Sequence, residues 1–140
     1  MAIKQTNIFP LDKQPRKAVG IAYPFSSFAV SGSSTPFKVN YTTKNQINSN
    51  LAVFFYTNKG ERPLNPNYGG GLRDILFDQL TDNTYETVKN IIRDSLSTYF
   101  PEVSLKKLEV FGDPDGLTLK VIMSYTVFNE NDTLELNFNT

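Results

Sequence analysis

The sequence predicts an α+β protein, and three observations carry that prediction. Apolar residues recur at helical spacing in two segments before Pro101, recur at every second position after it, and are interleaved with proline and serine before Tyr41. Helical patterns followed by strand patterns, without alternation between them, give helices packed to one side of an antiparallel sheet. A chain of 140 residues has room for one ordinary domain, burying roughly 68% of the surface its unfolded form exposes.

Residues 1–41 contain Pro10, Pro15, Pro24 and Pro36 and the cluster Ser31-Gly32-Ser33-Ser34-Thr35. Proline removes a backbone donor and fixes φ, so this stretch is expected to be an extended N-terminal arm with turns. It is not a bland linker, because Ile8, Phe9, Val19, Ile21, Tyr23, Phe25, Phe28, Val30, Phe37, Val39 and Tyr41 punctuate it. Such side chains either wrap their own domain or order in a groove supplied by a partner. The domain proper is then expected over 42–140.

At Thr43 the pattern changes. Thr43-Lys44-Asn45-Gln46 fits a capping box, and Ile47, Leu51, Phe54 and Phe55 follow on one helical face, predicting a helix over about 44–57. Gly60 in Asn58-Lys59-Gly60 supplies the left-handed residue that closes it. A loop over 60–71 comes next, holding two prolines and four glycines, too constrained for a passive connection. Leu72, Ile75, Leu76 and Phe77 predict a short helical turn, with Gly69 to Gly71 allowing Leu72, Leu76 and Phe77 to reach the core. Asn83-Thr84-Tyr85-Glu86 offers a second capping box, and Tyr85, Val88, Ile92, Leu96 and Tyr99 give one apolar face over 84–99, ended by Pro101.

Beyond Pro101 the period falls to two. Leu117, Leu119, Val121, Met123, Tyr125 and Val127 alternate with polar residues in the best strand of the sequence. A strand over 105–111 precedes it across Gly112-Asp113-Pro114-Asp115-Gly116, and Leu134, Leu136 and Phe138 form a third, so the chain ends in an antiparallel meander.

Composition narrows the chemistry. Cys, His and Trp are absent, which excludes disulfides, Cys nucleophiles, imidazole relays and metal sites built on thiolate or imidazole. Fourteen basic and fourteen acidic residues cancel, which argues against a nucleic-acid binder working through a general positive field. The cancellation is not local: residues 1–41 carry five bases against Asp12 alone, and 42–140 carry nine against thirteen acids. Opposed ends suit a subunit that meets different neighbours. No apolar run of signal or membrane-span length is present, so folding in a cytoplasm is expected.

A glycosidase would need two carboxyls across a cleft, and Glu61 with Asp74 or Asp78 are the nearest candidates. Arg62 beside Glu61 favours the ionised form over a general acid. Gly69-Gly70-Gly71 lacks the Gly-Lys-Ser/Thr ending of a phosphate loop, and Asp113, Asp115, Glu130 and Asp132 lack the spacing of a calcium loop. No cofactor or metal is expected.

The run from Thr57 to Asp78 does carry a signature. Thr57-x-x-Gly60-Glu61-Arg62-Pro63, Pro66-x-Tyr68-Gly69 and Leu72-x-x-x-Leu76-Phe77-Asp78 resemble the gene-25-like baseplate wedge family of contractile phage tails, related to type VI secretion baseplate subunits. The resemblance spans about 43–138 and implies a non-enzymatic structural subunit of the virion. It implies contacts with other wedge proteins, copies arranged around a sixfold axis, and seating of the first ring of the tail sheath by strand exchange. Within it, Glu61 and Arg62, held by Gly60 and Pro63, are expected to pin the loop to the domain or to the next subunit. Family members commonly carry Glu-Pro-Arg after the long helix; here Phe100-Pro101-Glu102 stands there, so Pro101 is kept and the anchoring ion pair is not carried over. A lysozyme-like hydrolase using Glu61 is the alternative from another class.

Overall fold

Two helices precede three long strands, the order that the hydrophobic periods predict. The computed structural model describes residues 12, 17–24, 37–77, 81–113 and 115–139. Its elements are β1 (Gly20–Ile21), β2 (Val39–Asn40), α1 (Thr43–Tyr56), a 3₁₀ turn (Asp74–Phe77), α2 (Asp82–Tyr99), β3 (Val103–Asp113), β4 (Thr118–Val127) and β5 (Glu130–Asn139). The chain divides into two compact units, Met1–Val53 and Phe54–Thr140, the division falling inside α1.

In the first unit β1 and β2 pair antiparallel, with Gly20 opposite Asn40 and Ile21 opposite Val39. Asn40 is buried, and its Nδ2 donates to Gln46 Oε1 and Ser49 Oγ, both at 3.0 Å. The described part of the arm therefore lies on its own unit. The expected capping box does not form on Thr43. Thr42 is the cap, its Oγ1 accepting from Asn45 N at 3.3 Å, while Gln46 turns its side chain to Asn40 and Asn50. Thr43 N–H, one of the orphan donors of the first turn, goes to Asp12 Oδ1 at 2.9 Å, which also accepts from Thr43 Oγ1. A carboxylate placed there also favours the positive end of the helix dipole.

In the second unit α2 starts two residues ahead of the predicted 84, because Thr81 takes the cap. Thr81 Oγ1 accepts from Thr84 N, and Thr84 Oγ1 accepts from Thr81 N. Glu86, expected to close that box, pairs instead with Lys89 at 2.8 Å, whose hydrogen bond first and charge second hold the Glu86 carboxyl below its ordinary range. Val88, Ile92 and Leu96 are buried; Tyr85 is half-buried and Tyr99 exposed. Phe100 N donates to Leu96 O at 2.9 Å, and Pro101 prevents another turn.

β3, β4 and β5 form an antiparallel sheet in that order. Leu119, Val121, Met123, Tyr125 and Val127 of β4 and Leu134, Leu136 and Phe138 of β5 are buried on one face. The other face is polar, with Lys120 on Glu135 at 2.8 Å and Thr126 on Asn131 at 2.7 Å. β3 runs two residues farther at each end than predicted and carries a bulge between Leu105 and Lys107. Leu117, expected at the head of the β4 face, is not in the strand: its φ of 46° puts it in the turn, and its side chain is exposed. Phe128 and Asn129, both at positive φ, make the tight turn to β5.

The alternation sets contrasting costs for two neighbours in β5. Leu136→Ala, at a fully buried site, lowers unfolding free energy by about 2–5 kcal/mol. Glu135→Ala removes the surface pair with Lys120 and an exposed hydrogen bond from Asn137 Nδ2, and leaves the denaturation midpoint close to where it is. Chemical denaturation of the two variants checks this, and equal losses would mean the pleat faces are misassigned.

Candidate interaction site

The segment after α1 is a chain of three hydrogen-bonded turns. Glu61 N donates to Asn58 O at 3.3 Å, Asn65 N to Arg62 O at 3.1 Å, and Tyr68 N to Asn65 O at 3.1 Å. Each turn has the residue its geometry needs. Gly60, at φ 89°, occupies the third position of the first, where positive φ is required; Pro63 and Pro66 occupy the second positions of the other two, where φ near −65° is pre-set. Gly60 N also donates to Pro66 O at 2.7 Å, closing the base of the loop, and Gly70 N to Phe54 O at 3.0 Å, returning it to the helix end.

Gly69 is where the returning chain passes closest to that end. Its φ is 125°, and a Cβ there would lie 2.5 Å from Thr57 O and 3.0 Å from Asn58 C, both backbone atoms that cannot step aside. Any other residue would prise the loop from the helix.

Side chains complete the clamp. The Glu61 carboxylate accepts from Asn58 N at 2.9 Å and from Asn58 Nδ2 at 3.2 Å. A carboxylate only accepts, so it fixes which way the Asn58 amide points. That orientation leaves Asn58 Oδ1 buried without a hydrogen-bond partner. Arg62 lies over the Tyr68 ring, Cζ 4.1 Å from the centroid. Tyr68 in turn meets Phe54 edge-on at 4.9 Å, and Phe54 also packs with Phe55, Tyr99 and Phe100 at 5.0 to 5.3 Å. Tyr99 reaches back with its hydroxyl to Asn67 O at 3.1 Å. The hub of this cluster, Phe54, is fully buried.

Gly60, Glu61, Arg62, Pro63, Pro66, Tyr68 and Gly69, singled out in the sequence, thus come together in one surface loop. Leu72 and Leu76 are buried as expected, but Phe77 is 78% exposed. Within the 3₁₀ turn Asp74–Phe77, whose period is three, Phe77 falls in line with exposed Asp74. Phe100 is buried against Phe54, and Pro101 lines a groove of about 370 Å³ with Arg93, Leu96, Ser97, Val103 and Leu105. Neither Glu61 nor Arg62 forms an ion pair among the described residues. The charge partner expected for Arg62 is an aromatic face. Sequence reasoning missed Asn58 and Tyr99 as parts of the clamp: Asn58 donates to the Glu61 carboxylate three residues on, and Tyr99 to a backbone carbonyl 32 residues away, and neither leaves a pattern to read.

The carboxylates that the hydrolase alternative names are placed as follows. Glu61 is exposed and both its oxygens are engaged, Asp74 is exposed on the outer side of the 3₁₀ turn, and Asp78 lies outside the described residues. Among the described residues no group of acidic side chains converges as a metal site requires.

Residues 42–132, which contain the whole clamp, match the family model described as baseplate wedge protein gp25. The chain belongs to that family. The baseplate wedge protein gp25 of Enterobacteria phage T4 is 32% identical over 89 residues, 64% of this chain and 67% of that protein. Among solved structures, a Geobacter sulfurreducens protein with the provisional name tail lysozyme aligns at a TM-score of 0.62 and 22% identity, over 70% of this chain and 91% of its own. A chain of the anti-feeding prophage baseplate, solved by sixfold-symmetrised cryo-EM, aligns at 0.56 and 21%, over 85% and 82%. At these identities the two structures establish the shared fold, and the α+β architecture is that of the gp25 family.

The clamp geometry sets the size of two mutational effects. Arg62→Ala removes a solvent-exposed cation–ring contact and costs about 0.5–1 kcal/mol, below the roughly 1–3 kcal/mol that loss of a bond to a buried charged partner would cost. Gly69→Ala meets both the backbone clash and the left-handed φ and costs more than Arg62→Ala, about 1–3 kcal/mol. Thermal denaturation of the pair gives the ranking; the reverse order would contradict the structure.

Proposed function

We propose that the chain is a non-enzymatic structural subunit of a contractile-tail baseplate wedge, part of the virion and assembled in the bacterial cytoplasm. Family membership supports the baseplate role. The observation that carries the structural reading is Glu61: the one carboxylate within the signature loop is bonded through both oxygens to Asn58, so it serves the fold and not a reaction. In this reading residues 1–41 are the arm and 42–140 the wedge domain. Gly60, Glu61, Arg62, Pro63, Pro66, Tyr68 and Gly69 hold the interaction loop, while Leu72, Leu76, Phe100 and Pro101 support it. Partners are other wedge proteins and the tail sheath, with copies around a sixfold axis.

Strand exchange with the sheath needs a sheet edge with backbone groups to complete. The outer strands are β3 and β5. The Tyr56 hydroxyl binds both Asn137 N, at 3.1 Å, and Asn137 O, at 3.3 Å. A strand adding along β5 must displace that hydroxyl, whereas on β3 the Tyr85 hydroxyl reaches Gly112 O only at 3.5 Å, a weaker contact, which makes β3 the edge where addition costs less.

Reconstitution separates this reading from a peptidoglycan hydrolase. The purified chain joins wedge complexes and sheath-bearing tails, and it releases no sugar from cell-wall material. Glu61→Gln keeps one acceptor oxygen for Asn58 and assembles as the unsubstituted chain does. Catalytic release of cell-wall fragments by the chain, lost in Glu61→Gln while assembly persists, would establish the hydrolase instead.

A further inference from the structure

The tip of the clamped loop holds a side chain that its own fold does not use. Leu64 is fully exposed, at 102% of its reference area. A single exposed leucine is unremarkable on a mobile surface, but this one stands between two prolines inside turns closed by Gly60 N on Pro66 O and Asn65 N on Arg62 O. Its backbone is therefore ordered before any encounter, which removes part of the entropy that binding otherwise loses. Three charges lie between residues 59 and 64: both oxygens of Glu61 are engaged by Asn58, whereas Lys59 and Arg62 are exposed and without a carboxylate partner among the described residues, so cations outnumber acids two to one.

We infer that Leu64 is a preformed anchor that inserts into an apolar pocket on a neighbouring protein whose rim carries carboxylates facing Lys59 and Arg62. Burial of a full leucine side chain supplies affinity, and the two cations select the partner and its orientation. The inference rests on the wedge-subunit reading for the identity of the neighbour as another baseplate protein.

The test uses the full-length chain supplied to cells that assemble tails lacking it, with four forms compared: unsubstituted, Leu64→Met, Leu64→Asp and Lys59→Glu. All four keep the same thermal midpoint, since Leu64 is fully exposed and a glutamate at 59 keeps the aliphatic stem that lies beside Gly71. Leu64→Asp falls in incorporation by on the order of tenfold or more, Leu64→Met is retained, and Lys59→Glu falls severalfold. A photoreactive residue at position 64 in assembled tails links to a partner peptide containing apolar residues flanked by Asp or Glu. Incorporation of Leu64→Asp at the unsubstituted level, a lowered midpoint for that variant, or linkage to a basic peptide or to none would overturn the inference. Failure of the unsubstituted chain to enter tails would instead overturn the wedge reading on which it rests.

Discussion

The burial of Phe54 at the end of α1 is the contact on which the second unit's site depends. One ring touches the motif loop through Tyr68, the end of α2 through Tyr99 and Phe100, and the helix's own next residue through Phe55. Edge-to-face pairs of this kind contribute about 0.5–1.5 kcal/mol each beyond area burial. They also have directional preference, which plain apolar contact lacks. The loop is thereby tied to the point where α2 gives way to β3. Replacing a polar residue by Phe100 just ahead of Pro101 fits this arrangement, because the ring finds a partner that a carboxylate at that position would not.

Order in the loop comes from the unfolded state as much as from contacts. Pro63 and Pro66 lose little freedom on folding because their φ is already set, and each sits where its turn wants that value. Gly60 and Gly69 are used where a side chain would be strained or would strike backbone. The remaining cost is the Asn58 carboxamide, whose buried Oδ1 goes without a partner, a loss of about 1–3 kcal/mol. It is tolerated because the same amide, turned the other way, would set its oxygen against the Glu61 carboxylate. A small defect is retained so that the helix end and the loop share one bidentate link.

What could be read in the sequence followed from strong periods and from chirality. The β4 and β5 alternation, the α1 face of Ile47, Leu51, Phe54 and Phe55, and the stop at Pro101 all rest on local geometry, and the structure has them. Helix starts were less legible. Runs such as Tyr41-Thr42-Thr43 and Thr81-Asp82-Asn83-Thr84 offer several capping oxygens within one turn. The choice at α1 follows from Asp12, which lies 31 residues from Thr43 in sequence. Phe77 and Leu117 were misplaced for a shared reason: each is apolar and continues a good pattern by one residue, but the backbone there has left the repeat, into a 3₁₀ period at one and a positive φ at the other. The aromatic face beneath Arg62 could not be inferred, since a guanidinium beside a glutamate suggests ion pairing until the fold shows where Tyr68 lies.

The same loop bears on the choice between chemistry and fit. General acid catalysis needs a carboxyl that stays protonated, which asks for burial away from hydrogen-bond donors. Glu61 has the opposite setting: it is exposed, accepts two N–H groups and has a guanidinium as its chain neighbour. Both of its oxygens are engaged in holding the helix end, which is a role in building the loop. A family motif that looks rich in reactive groups is therefore consistent with pure recognition. Its acid holds the scaffold, while Leu64 and Phe77 face outward and Lys59 and Arg62 are exposed in the same segment.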